Sequence, residues 1–108
     1  MLPEIFFTYM LHCNDESFYI GWTKNIQNRL MQHNFGHLGA RYTRIRRPVI
    51  LIYLEVYPSI KEAMRREYQM KKLTHAKKLQ LSLLGTTEKT CYYTNTLNTF
   101  IDNNFSRV

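Results

Sequence analysis

Residues 17–34 read "SFYIGWTKNIQNRLMQHN". The run Phe18-Tyr19-Ile20-Gly21-Trp22 is aromatic and β-branched, as a short strand is. Thr23 then supplies a cap for a helix over about Lys24 to Asn34. On that helix Ile26 and Leu30 are four apart and fit a core-facing side. Arg29 and His33 are also four apart, on an adjoining face. Two accounts of the stretch are open. One is a hydrophobic strand, a turn and a solvated helix. The other is a phosphate site where strand and helix meet, because Arg clamps phosphate with two donors and His donates or shuttles a proton.

The flanks extend the pattern in both directions. "EIFFTYMLHC", residues 4–13, reads as a strand, and "NDES" after it as a turn, so the two strands form an antiparallel hairpin. "FGHLGARYTRIRR", residues 35–47, holds two Gly and four Arg and reads as a basic loop. "PVILIYLEVY" follows, and its unbroken apolar run predicts a central strand covered on both faces. Pro48 stands at its start, where a missing N–H is tolerated. Ser59 to Glu62 match a capping box that opens a helix running to about Leu73. Thr74 caps a further helix, "HAKKLQLSLL", which Gly85 ends. The order is β-β-α-β-α-α, a small three-stranded antiparallel or mixed sheet with flanking helices, of the α/β or α+β class. One domain is expected over 4–84, with 85–108 as a loosely ordered tail.

Bulk properties narrow the function. The chain has 108 residues, 44% of them hydrophobic, which suits one folded domain. Cys13 and Cys91 have no metal-site spacing and no disulfide-rich pattern, which points to a reducing, cytoplasmic setting. No apolar run approaches the roughly 20 residues that span a bilayer. Net charge is +7, and it is concentrated. Residues 1–22 hold three acids and no Lys or Arg, while residues 23–78 hold thirteen Lys and Arg against three acids. One positive face is expected, and its usual partner is nucleic acid.

Each chemical candidate has a plain structural alternative. Arg29 can be a surface residue and His33 a helix-end cap. Glu67 lies among Ala63, Met64 and Met70 on a helix, where a carboxylate needs a metal or a cation such as Arg29. Tyr9 and Tyr19, ten apart across the turn, can be sheet core with their hydroxyls bonded nearby. The loop residues Arg41, Tyr42, Arg44, Arg46 and Arg47, with Lys24, Lys71 and Lys72, are candidates for backbone contacts and base stacking, or for a solvated charged surface.

Taken together, Tyr9, the intact Tyr19-Ile20-Gly21, Arg29, His33 and Glu67 resemble the GIY-YIG endonuclease superfamily. The runs "YMLHCNDESFYIGWTKNIQNRLMQHN", "ARYTRIRRPV" and "EAMRREYQMKKLTHAKK" look like its small standalone bacterial members, similar to the excinuclease N-terminal domain, over about residues 5–80. Phe7-Thr8-Tyr9 stands where the family name has Gly-Ile-Tyr. The late asparagine of some members has no counterpart within that span.

The resemblance implies a DNA endonuclease dependent on Mg²⁺ or Mn²⁺, structure-selective, in DNA repair or processing. Glu67 would hold the metal, Tyr9 would act as base with Tyr19 in support, Arg29 would stabilise phosphate charge, and His33 would orient Tyr9 or water or assist proton transfer. With Tyr9 as a base activated by nearby cations and metal-bound water, the rate would rise with pH through neutrality. The rival readings are a catalytically weak DNA- or RNA-binding protein that keeps the fold, an RNA-directed nuclease, and a domain that docks a protein partner through its tail.

Overall fold

In a computed structural model, which describes residues 4–84, the elements follow the expected order with one addition. They are β1 (Phe6–His12), β2 (Phe18–Thr23), α1 (Ile26–Asn34), α2 (Arg41–Arg44), β3 (Ile50–Tyr57), α3 (Ile60–Lys71) and α4 (His75–Leu84). The addition is α2, one helical turn inside the stretch read as a basic loop. The expected tail, 85–108, lies outside the described residues.

The sheet is antiparallel, in the order β2-β1-β3. The central strand is therefore β1, and the expectation of a central β3 is corrected. The physical reason is that an apolar run on both faces reports helices above and below a strand. It says nothing about whether the strand has a neighbour on each edge. β3 sits at the edge and is still covered on both faces.

Alternation along β1 sends its side chains to two cores. Tyr9 and Leu11 pair with Gly21 and Tyr19 and pack on α1, against Ile26, Leu30, Val49, Leu51 and Leu54. Met10 and Ile20 pair and pack with Tyr53 and Met70 on the side of α3. A register shift between Met10 and Leu11 passes over Ile52, which lets Leu54 and Leu51 both join the α1 side.

Polar side chains fix the helices to this sheet. Asn25, not Thr23, caps α1: its side chain accepts from the Asn28 N–H at 3.0 Å, while Thr23 closes β2 and accepts from the Asn25 N–H at 3.1 Å. At the other end of α1, buried Asn34 binds both backbone groups of Val49, donating to its carbonyl at 3.0 Å and accepting from its N–H at 2.9 Å. Arg47 donates to the carbonyls of Gln32, His33 and Gly36, which closes the last turn of α1. Ser59 caps α3 as the capping box foresaw, and Thr74 accepts from the Lys77 N–H at 3.2 Å at the start of α4. Thr8, fully buried, donates to the Ala63 carbonyl at 2.8 Å and docks α3 on the central strand.

Asn34→Ala leaves the N–H and C=O of Val49 without these partners. A loss of about 2–6 kcal/mol is expected, from about 1–3 kcal/mol for each of the two buried groups left unbonded. Urea denaturation checks it, through a lower midpoint at an unchanged slope.

Candidate active site

The sheet face that carries Tyr9 leads directly to a polar cluster. Tyr9 lies opposite Gly21 in the hairpin register. A Cβ at Gly21 would stand 2.5 Å from the Tyr9 hydroxyl and 2.7 Å from Tyr9 Cζ. Gly21 is thus the floor on which the Tyr9 phenol rests. It does not end the strand, which continues to Thr23.

Beyond Gly21 the Tyr9 hydroxyl meets Nε2 of His33 at 2.7 Å. The other ring nitrogen of His33, Nδ1, meets the Thr43 hydroxyl at 2.7 Å. Tyr9, His33 and Thr43 are all buried, at 1%, 0% and 0% exposure, so the hydroxyl, the imidazole and the threonine form one chain inside the protein. The Tyr19 ring packs edge-on against His33 at 5.0 Å and lies 6.4 Å from the Tyr9 ring.

Arg29 and Glu67 complete the cluster from two different helices. Arg29 is half-buried and donates to Gln32 Oε1 at 2.8 Å and to the Leu38 carbonyl at 3.0 Å. Its charge acts on both Tyr9 and His33. Glu67 is half-buried on α3, and its charge also reaches Tyr9. Lys71, one turn on, pairs with it at 2.8 Å. Of the neighbours expected on the Glu67 face, Ala63 and Met70 are buried, whereas Met64 is 50% exposed and faces away.

Burial, then the nearby Tyr19, push the Tyr9 phenol well above its ordinary value, and Arg29 only partly opposes them. In the protein alone, desolvation outweighs the lowering by Arg29. Burial first, then the charges of Arg29 and Arg47, push His33 down to about 3. The imidazole is neutral at physiological pH and holds one free lone pair.

Among the described residues no three His, Cys, Asp or Glu side chains cluster as a metal cage. Glu67 is a single carboxylate whose charge is felt at the Tyr9 phenol. That donor set fits a hard cation that keeps most of its waters and takes further oxygens from a phosphate, as Mg²⁺ does. Lys71 is 53% exposed at its side chain, so it can leave Glu67 when a cation arrives.

The basic candidates divide. Lys24, Arg41 and Arg44 are exposed, and among the described residues none has an acidic partner. Arg46 binds Asp15 at 2.8 Å and lies 3.7 Å over the Tyr42 ring. Tyr42 also packs on Tyr19, at 6.0 Å, so its ring is already engaged within the protein. Arg47 is committed to the end of α1, Lys71 to Glu67, and Lys72 sits over the Tyr68 ring at 4.1 Å. Thr43 was passed over in the sequence because four arginines surround it. The available signal was its place ten residues after His33, in the one stretch between α1 and β3 able to reach back.

Known proteins similar to this chain identify its family. The model of the GIY-YIG catalytic domain matches residues 5–80. A UPF0213 protein of Syntrophus aciditrophicus is 49% identical over 75 residues, which is 69% of this chain and 86% of that protein. A UPF0213 protein of Clostridium perfringens is 52% identical over 75 residues, 69% of this chain and 80% of that protein. The solution NMR structure of a UPF0213 protein from Bacillus halodurans superposes with a TM-score of 0.51 at 41% identity, covering 85% of this chain and 93% of that one.

The depressed His33 has a measurable consequence. The unfolded chain takes a proton there below its ordinary value of 6.5, and the folded protein only near about 3. His33 thus stabilises the fold above 6.5, and that contribution is lost as pH falls towards 3. A slope of up to about 1.4 kcal/mol per pH unit is expected from this one proton. Denaturation between about pH 6.5 and 5 should show a steeper loss for wild type than for His33→Gln, and equal slopes would contradict the burial of a neutral imidazole.

Proposed function

The chain belongs to the GIY-YIG catalytic-domain family, and we propose that it is a DNA endonuclease that hydrolyses phosphodiester bonds with Mg²⁺ or Mn²⁺. The observation that carries this reading is the Tyr9 hydroxyl, bonded from behind by a neutral imidazole and placed within the fields of Arg29 and Glu67.

In the proposed reaction a water oxygen forms a bond to phosphorus as its proton passes to Tyr9 Oη. The Tyr9 proton passes in turn to His33, and the bond to the leaving sugar oxygen breaks. That oxygen takes a proton from solvent. Arg29 holds the charge that gathers on the phosphate oxygens. Held by Glu67, the divalent cation neutralises phosphate charge when bound. Tyr19 packs beside both members of the relay and keeps water from the imidazole. Coupled transfer is required because burial keeps the phenol protonated at neutral pH.

Exposed Lys24, Arg41 and Arg44 are the proposed backbone contacts. No further sequence-reading element is present among the described residues, which favours selection by DNA structure and a role in repair or processing. Among the described residues no helix is long and apolar enough to cross a membrane, and a cytoplasmic setting is proposed.

The test is nicking of supercoiled plasmid and of branched and single-stranded oligonucleotides, with Mg²⁺ or Mn²⁺ and with chelator. Metal-dependent cutting is expected, reduced about 100-fold or more in Arg29→Ala and lost in Glu67→Ala. Binding without cutting by the wild type would instead favour a nucleic-acid-binding protein that keeps the fold.

The arginines should separate in a second experiment. Arg44→Ala is expected to lower the salt dependence of DNA binding by about one counterion at unchanged stability. Arg47→Ala is expected to lower the melting temperature, because three carbonyls at the end of α1 lose their donor.

A further inference from the structure

We infer that Thr43 is a positioning residue that decides which nitrogen of His33 is bare, and thereby gives the Tyr9 proton its direction of travel. The inference rests on the nuclease reading for its catalytic consequence, though not for the proton placement itself.

The argument is a count of hydrogens. The Thr43 hydroxyl has one proton to donate. Its oxygen lies 3.0 Å from the Ala40 carbonyl, which can only accept. Given to that carbonyl, the proton is unavailable to His33. Thr43 Oγ1 must then accept at 2.7 Å from His33, so Nδ1 carries the imidazole hydrogen. A neutral imidazole has only one such hydrogen, so Nε2 is a lone pair. The Tyr9 phenol, 2.7 Å from Nε2, is left as the donor. All four groups are satisfied in one direction: Tyr9 to His33, His33 to Thr43, Thr43 to Ala40.

The reverse arrangement has a worse outcome. If Thr43 donated to Nδ1, the imidazole hydrogen would sit on Nε2 and point at Tyr9. His33 could then take nothing from the phenol, and the Ala40 carbonyl would keep only its two N–H donors.

The local fold supports this role. The Ala40 carbonyl also accepts the Thr43 N–H at 3.1 Å and the Arg44 N–H at 3.0 Å, so the single turn α2 holds the Thr43 backbone and hydroxyl together. Gly39, just before it, lies so close to α1 that a Cβ would stand 2.3 Å from the Gln32 carbonyl. That close approach seats Thr43 against His33. The turn among four arginines thus has a buried function beside its charged exterior. When Tyr9 gives up its proton the Tyr9 O–H bond breaks and an Nε2–H bond forms. The imidazolium is then held by Thr43 on the Nδ1 side. Return of that proton to solvent after product leaves restores the starting state.

The experiment is ring ¹⁵N NMR of His33 at neutral pH, alongside cleavage rates, for wild type, Thr43→Ser and Thr43→Val. Wild type and Thr43→Ser are expected to show the hydrogen on Nδ1 and similar rates. Thr43→Val keeps the shape without the acceptor. It is expected to move the hydrogen to Nε2 and to lower the rate about 10-fold or more at unchanged DNA affinity. Wild type with the hydrogen on Nε2 overturns the inference, whether or not Thr43→Val folds. So does a folded Thr43→Val that keeps the wild-type rate. A wild type that cuts no DNA under any condition, yet shows the hydrogen on Nδ1, would refute the nuclease reading and leave the proton placement standing.

Discussion

The hydrogen bond between the Tyr9 hydroxyl and His33 Nε2 is the constraint around which the rest is arranged. It joins the central strand to the first helix inside the core, where an unmade polar bond is costly. To form it, the phenol must cross the neighbouring strand, and only a glycine at position 21 leaves it room. The imidazole must present a lone pair, and burial beside two arginines keeps it neutral. A packing requirement and a chemical requirement thus meet at one contact.

The two-faced sheet then brings charge to that contact from both sides. α1 lies on the Tyr9 face and delivers His33 and Arg29 one turn apart. α3 lies on the opposite face, docked through Thr8 and Ala63, and carries Glu67. No single element holds both the cation and the carboxylate. The spacing between Arg29 and Glu67 therefore depends on how firmly both helices are seated. Buried side-chain bonds do that seating, Asn34 on Val49 for α1 and Thr8 on Ala63 for α3.

Much of this was legible in the sequence, for identifiable reasons. The hairpin showed in its alternation and turn residues, and the buried positions Ile26 and Leu30 in helical spacing. The five residues of the proposed site stood out because their types and spacing form a joint pattern. Less legible were features that depend on partners distant in sequence. The edge position of β3 is a matter of pairing, which composition does not encode. Arg46 and Arg47 looked like Arg41 and Arg44, and only the fold distinguishes an arginine that closes a helix from one that faces solvent. Thr43 gave no signal beyond its spacing from His33, because its importance lies in one hydroxyl bonded to that histidine. Residue type alone also gave no measure of burial at Tyr9, which in the protein alone outweighs Arg29.

The most direct test of the account is the single-turnover cleavage rate of Tyr9→Phe beside wild type, at saturating enzyme and with DNA affinity measured in parallel. The substitution removes one oxygen and keeps the ring on Gly21. The account expects a folded protein with unchanged affinity and a rate lower by about 100-fold or more, the usual scale for losing a proton-transfer group. A Tyr9→Phe rate within a few-fold of wild type would contradict it, and would leave the Tyr9–His33 bond a matter of packing alone.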